Sequence, residues 1–327
     1  MLTYIARRIL IVIPTLFVIS IVTFIIIQLP PGDFFTTLQA EMAETGGGQG
    51  RELVEHLQEL YGLNEPVWRQ YFRWISGFPR MDFGYSLGWN APVWAVIRGN
   101  VAYTIGLGFL SLIFMVVVSI PIGIYSATHQ YSPGDVALSA LGFIGISLPG
   151  FLLALIWMFV GIVILGVDVG GVASMEFRDA PFSIPKLLDY LNHLWPPVII
   201  LGLASTAQLF RIMRSNLLDV LGQQHITTAR AKGMREKKVI RKYAVRVAIN
   251  PLISVMALEV PKIINASILV GIVMFLPTLG PVFLRALRTQ DIYLAGTILL
   301  FTTVMLMVAN LIADIVLAIV DPRIAYD

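Results

Sequence analysis

Six long, mainly apolar runs, a scarcity of charged residues and one concentrated basic block predict an all-α, polytopic membrane protein with six transmembrane helices. Hydrophobic residues make up 57% of the 327, charged residues 13%, and the mean hydropathy is +0.80. Soluble globular chains carry about a quarter charged residues, so this chain is built for lipid. Cysteine is absent, which removes disulfides, thiolate metal sites and cysteine nucleophiles and leaves the redox compartment unreadable. The net charge of +3 is small and does not suggest nucleic-acid binding.

The first span is expected over 9–29, about the 20 residues a bilayer needs, behind a short basic start. It is too long for the apolar core of a cleaved leader, and Leu29-Pro30-Pro31-Gly32-Asp33 offers no small-residue cleavage site. Residues 30–100 are polar, with a glycine break at 46–50, a helical stretch from Arg51 to Tyr61, and tryptophans at 68, 74, 89 and 94 that suit a membrane–water interface. The second and third spans are expected over 101–128 and 136–167, joined by the turn Ser132-Pro133-Gly134-Asp135. The fourth is expected over 194–213, with Trp195-Pro196-Pro197 at its start. The fifth, 247–275, is interrupted by Glu259 and Lys262, and the sixth covers 292–318, with Asp314 near its end. Six spans put both termini on one side. With the N-terminus inside, the short loops hold 13 Lys and Arg on the inside and 4 on the outside. The positive-inside rule therefore predicts N-in and C-in, with 30–100 extracytoplasmic and 214–246 cytoplasmic.

That cytoplasmic block is the sharpest feature of the chain. Thr227-Thr228-Ala229-Arg230-Ala231-Lys232-Gly233 reads as a short helix stopped by a glycine, the residue that reaches φ > 0 without steric cost. By charge alone it is equally a solvated inside loop or a segment made to be touched by a partner.

Enzymatic signatures are missing. There is no phosphate-binding G-x-x-x-x-G-K-[ST], no H-E-x-x-H, and His56, His129, His193 and His225 are scattered without a carboxylate cluster. No metal site or cofactor is expected on this chain. Energised work would draw on a partner or an ion gradient.

Glu259 and Lys262 are ionisable groups inside a span, which are expensive and face a partner or water. At i, i+3 they share one helical face, with Pro261 between them loosening the helix. They are either a buried structural pair or a lining of a translocation path. Met274, Phe275 and Phe283 are read as an outer gate or as simple packing, and Asp314 as a structural partner for a basic residue.

The motifs along the chain resemble the permease subunits of ATP-binding-cassette importers, the dipeptide/oligopeptide-type binding-protein-dependent family. Thr228-Ala229-Arg230-Ala231-Lys232-Gly233 followed by Asn250-Pro251 resembles that family's cytoplasmic EAA loop. Ala6-Arg7-Arg8, Pro31-Gly32-Asp33, Leu60-Tyr61-Gly62-Leu63, Trp68-Arg69-Gln70-Tyr71, Asp82-Phe83-Gly84-Tyr85-Ser86 and Asp321-Pro322-Arg323 follow in the family's order. The glutamate that names the loop is absent; Thr227 or Thr228 stands there.

The resemblance implies a type I importer permease fold in the inner membrane. It implies that Thr227 to Gly233 form a coupling helix docking on an ATPase subunit that carries ATP and Mg. It implies a second, homologous permease as heterodimer partner and an extracytoplasmic substrate-binding protein. Oligopeptides are the expected cargo, with oligosaccharides as the alternative. An ion-coupled secondary transporter is the reading from another class, but two matching halves with broken helices are not apparent.

Overall fold

The computed structural model describes residues 2–29 and 65–320. The expected helix at 51–61, the glycine break, and the motifs at 31–33, 60–63 and 321–323 lie outside the described residues. The described residues divide into two compact units, one made of 104–276 with 308–320, the other of 2–29 and 65–103 with 277–307.

The second of these begins with α1 (Leu2–Gln28) and continues with the amphipathic α2 (Val67–Gly77), a two-residue hairpin pairing Tyr85–Ser86 with Ala91–Pro92, and the first turns of α3 (Val93–Thr128). Its core is aromatic: Phe24, Tyr71, Trp74 and Phe83 pack edge-on or tilted at centroid separations of 4.8–6.5 Å among themselves and with Phe78 and Trp94. Edge-to-face contacts of this kind add to simple area burial. Trp74 is therefore a core residue, its indole N–H donating to Thr297 at 3.3 Å, while Trp68 is exposed. The four tryptophans are not one interfacial belt.

A buried acid clasps this unit. Asp291 Oδ2 accepts from the Ser86 hydroxyl (2.6 Å) and the Gly88 N–H (3.0 Å), and its Oδ1 accepts from the Leu294 N–H (3.1 Å). One carboxylate thus ties the hairpin to the start of a later helix. Burial pushes the Asp291 carboxyl above the usual carboxylate range although those hydrogen bonds pull the other way.

The larger unit holds the remainder of α3, α4 (Pro133–Ser147), α5 (Gly150–Phe159) with a π turn at Val160–Ile164, α6 (Ile184–Leu221), α7 (Gln224–Ala231) and α8 (Asn250–Val273). Among the described residues, five helices are long and apolar enough to cross a membrane, and α4 with α5 make a sixth if counted as one broken span. The expected third span, 136–167, is corrected: it is two helices bent by 102°. The reason is local. Leu148, preceding Pro149, takes an extended conformation (φ −98°, ψ 126°) because the proline ring excludes it from the α region. The signal, Leu148-Pro149-Gly150, is visible in the sequence but hidden by the unbroken hydropathy.

Other boundaries shift. The second span begins at Val93 and not at 101, and the fourth extends over 184–221, so Pro196 and Pro197 lie inside the helix. The fifth helix is shorter, Asn250–Val273, with Pro251 in its first turn, where a missing N–H costs nothing. After α9 (Leu279–Arg288), α10 runs Ile292–Val320. Close helix approach within the larger unit uses small residues. A Cβ on Gly202 would lie 3.1 Å from the Ser111 carbonyl oxygen, and one on Gly142 only 2.7 Å from the Phe210 ring, the small-residue packing membrane helices favour. Met274 is fully buried and packs; Phe275, at φ +55°, is exposed.

Candidate functional site

The glycine-stopped segment is α7. Its last turn is closed by two bonds: Gly233 N–H to the Arg230 carbonyl (2.9 Å) and Met234 N–H to the Ala229 carbonyl (3.3 Å), with Gly233 at φ +73°. This is the Schellman arrangement, satisfying carbonyls the helix end would leave orphaned. A side chain with a Cβ would be strained at that φ.

The helix has two faces. Ile226 and Ala229 are buried, at 0% and 6% exposure, in a cluster with Leu217 and Val220 of α6, Val239 and Ala244 of the following segment, and Leu252 of α8. Thr227, Thr228, Arg230, Ala231, Lys232 and Gly233 are exposed. Ala229 therefore anchors the helix from beneath and is not itself available to a partner. Arg230 is already engaged within the chain: its guanidinium donates to Glu236 at 2.7 and 3.2 Å. That hydrogen-bonded pairing holds the Glu236 carboxyl below, and the Arg230 guanidinium above, their ordinary values. From Glu236 the chain returns through a short α turn, a π segment at Val239–Ala244 and Val245–Ala248 into α8. The exposed face is thus clamped onto the ends of two membrane helices.

A second polar assembly, which sequence reading missed, fixes the α3–α4 turn. Ser132 caps α4, accepting from the Asp135 N–H (3.2 Å), and the Asp135 carboxylate accepts from the Tyr131 N–H (3.0 Å), a variant of the capping box. The same carboxylate takes a two-bond contact from Arg214 of α6, at 3.1 and 2.9 Å. Planar guanidinium–carboxylate pairs of this kind fix geometry as well as charge. The Ser-Pro-Gly-Asp cap was readable in the sequence; the partner 79 residues away was not.

Glu259 and Lys262 are brought together. The Glu259 carboxylate is buried and accepts from the Lys262 ammonium (2.7 Å) through Oε1 and from the Ser205 hydroxyl of α6 (2.6 Å) through Oε2. The Lys262 side chain is 57% exposed. The acid is buried and the base is presented. Ser205 carried no sequence signal, since a single serine in an apolar run has many uses.

The chain is similar to known proteins along its length. The family described as binding-protein-dependent transport system inner membrane component matches residues 119–326, and its N-terminal counterpart matches 1–108. The oligopeptide transport system permease protein AppB of Bacillus subtilis is 37% identical over the full length of both chains. The dipeptide transport system permease protein DppB of Escherichia coli K12 is 31% identical, covering 100% of this chain and 99% of its own. Among solved structures, a chain of an inward-facing MetNI methionine ABC transporter superposes with a TM-score of 0.52 at 20% identity, covering 70% of this chain and 97% of its own. At that identity it is a likeness of fold.

Proposed function

Because this chain belongs to the family of binding-protein-dependent transport system inner membrane components, we propose that it forms one half of a peptide-conducting path and couples that path to ATP through α7. It is a multi-pass inner-membrane permease subunit of an ATP-binding-cassette importer, working with an ATPase that is a separate subunit. In this reading both termini and the 214–246 segment are cytoplasmic, following the charge asymmetry of the short loops. Thr227, Thr228, Arg230, Ala231, Lys232 and Gly233 meet the ATPase, and ATP and Mg sit on that subunit. A second homologous permease completes the path, and an extracytoplasmic binding protein delivers cargo. Peptides are the cargo class, because both full-length relatives are named for dipeptide or oligopeptide transport.

The observation that carries the reading is the two-faced α7. Its buried residues join the end of α6 to the start of α8 in one apolar cluster, while its outer face is exposed. A push on that face is carried into two membrane helices as a rigid displacement, since packed cores move as units and do not deform continuously. Ala231→Arg, on the exposed face, tests it. Purified from its native membranes, the variant should lose the ATPase while keeping the second permease, and ATP-dependent tripeptide uptake should stop. Unchanged ATPase copurification together with unchanged uptake would sink the assignment.

A further inference from the structure

Part of the exposed surface of α6 and α8 is polar where a membrane helix should be apolar. On α6 the exposed positions include Gln208, Arg211 and Ser215; on α8 they include Lys262 and Asn265, between Leu258 and Leu269. The two helices are antiparallel neighbours. Ser205 donates to Glu259 while Asn216, later in α6, donates to the carbonyl of Ala248, earlier in α8, at 3.5 Å. At about 100° per residue, Gln208, Arg211 and Ser215 are rotated from the Ser205 contact in the same sense as Lys262 and Asn265 are from Glu259. In an antiparallel pair a rotation of common sense turns both stripes to one side, so they form a single polar face.

Lipid is a poor neighbour for that face, because ionic and amide groups exposed to hydrocarbon are costly. A packed helix interface is also a poor match, since those are rich in small residues that let backbones approach. Water fits. Gln208, Arg211, Ile212 and Ser215 already border an open hollow of about 390 Å³. Between 205 and 215 of α6 and between 259 and 265 of α8, the exposed charges are both positive, Arg211 and Lys262. Arg211 stacks on Phe143 at 5.1 Å and, among the described residues, has no acidic partner. Lys262 projects outward while its counter-ion Glu259 is turned inward.

We propose that this face is a wall of the water-filled path and that the Lys262 ammonium contacts the C-terminal carboxylate of a passing peptide. This rests on the peptide-importer reading above and names the substrate group recognised. Glu259 and Ser205 position the amine: one of its three donor directions is taken by Glu259, leaving two for cargo. Glu259 also cancels part of the attraction. A transport site needs that balance, because a group held too tightly does not leave.

The test uses the complete reconstituted importer at saturating binding protein, with trialanine and trialanine amide as cargo. For each, uptake by Lys262→Gln is divided by uptake by the unaltered complex, so any preference of the binding protein cancels. The expected result is a drop of about tenfold for the free acid, the loss of one charge-assisted hydrogen bond, and little change for the amide. Lys262→Arg should keep the acid near its original rate. A parallel fall for both cargoes overturns the proposal. If the second permease is also lost, the face is a subunit interface; if the complex stays whole, the pair serves a conformational step. No change for either cargo leaves the pair purely structural and overturns it too. If the unaltered complex moves neither peptide, the peptide reading fails first and this one with it.

Discussion

Glu259 and Asp291 are both almost completely buried, at 1% and 2% exposure, yet they are satisfied in opposite ways. Glu259 faces a hydroxyl and a cation whose own side chain is exposed. Asp291 faces one hydroxyl and two backbone N–H groups, all fixed. An exposed ammonium can exchange its partner; a backbone amide cannot without unfolding. On the proposal above, the difference separates a carboxylate that positions a cargo-facing amine from one that holds shape. Asp135 lies between them, with Arg214 on one side and the Tyr131 N–H on the other.

The largest effect expected from breaking this pattern is at Asp291. Asp291→Ala leaves three donors without their acceptor, two of them in buried contacts, and each buried orphan costs about 1–3 kcal/mol. Thermal unfolding in detergent should show a loss of about 3 kcal/mol or more. The same residue gives a pH dependence whose sign follows from its raised pKa. Between the ordinary carboxylate range and the raised folded value, the folded state binds more protons than the unfolded one. Its stabilising contribution is therefore complete at acid pH, falls as pH rises through the folded pKa, and is flat above it. Asp291→Asn should remove that slope, and a slope that survives the substitution would point to another group.

Asp135→Asn should cost less, about 2 kcal/mol. The amide oxygen still accepts one bond, but the Arg214 guanidinium keeps its charge with no counter-ion. Thermal unfolding of the variant checks the size. Because this pair ties the α3–α4 turn to α6, ATP hydrolysis by the assembled complex should also become less dependent on cargo. Equal coupling in the variant would confine Asp135 to a stabilising role.

The smallest effect belongs to the exposed pair. Arg230 and Glu236 are 42% and 53% exposed, so Glu236→Gln should change stability by about 0.5 kcal/mol or less, with the difference vanishing in high salt. A large effect would mean that the pair shapes the α7 return turn beyond its charge. The lowered Glu236 pKa adds stability only above the ordinary carboxylate range, lost as pH falls through the folded value. That trend is opposite to the one at Asp291.

The sequence makes the helical membrane class and the glycine-ended segment legible because both are local signals. Hydropathy needs only neighbouring residues, and the Gly233 stop needs only the conformational freedom of one. What stays hidden depends on chain segments far apart meeting: Arg214 on Asp135, Ser205 on Glu259, Asp291 on Ser86. The same holds for the inward side of α7. Ala229 and Ala231 look alike in sequence, but 229 lies on the stripe with Ile226 that faces the apolar cluster. The bend at Pro149 was readable in principle, and strong hydropathy on both sides masked it.

The absence of cysteine makes the central claim directly testable. Ala231→Cys places a single thiol on the exposed face of α7, and Ala229→Cys places one on the buried face. Each is labelled in native membranes with a thiol-directed photocrosslinker and illuminated with and without ATP. The account predicts that the label at 231 is captured by a subunit bearing a phosphate-binding loop, in a yield that changes with ATP, while the label at 229 is not. Capture of that subunit from neither position, in a complex that still imports trialanine, would contradict the claim that α7 carries the coupling.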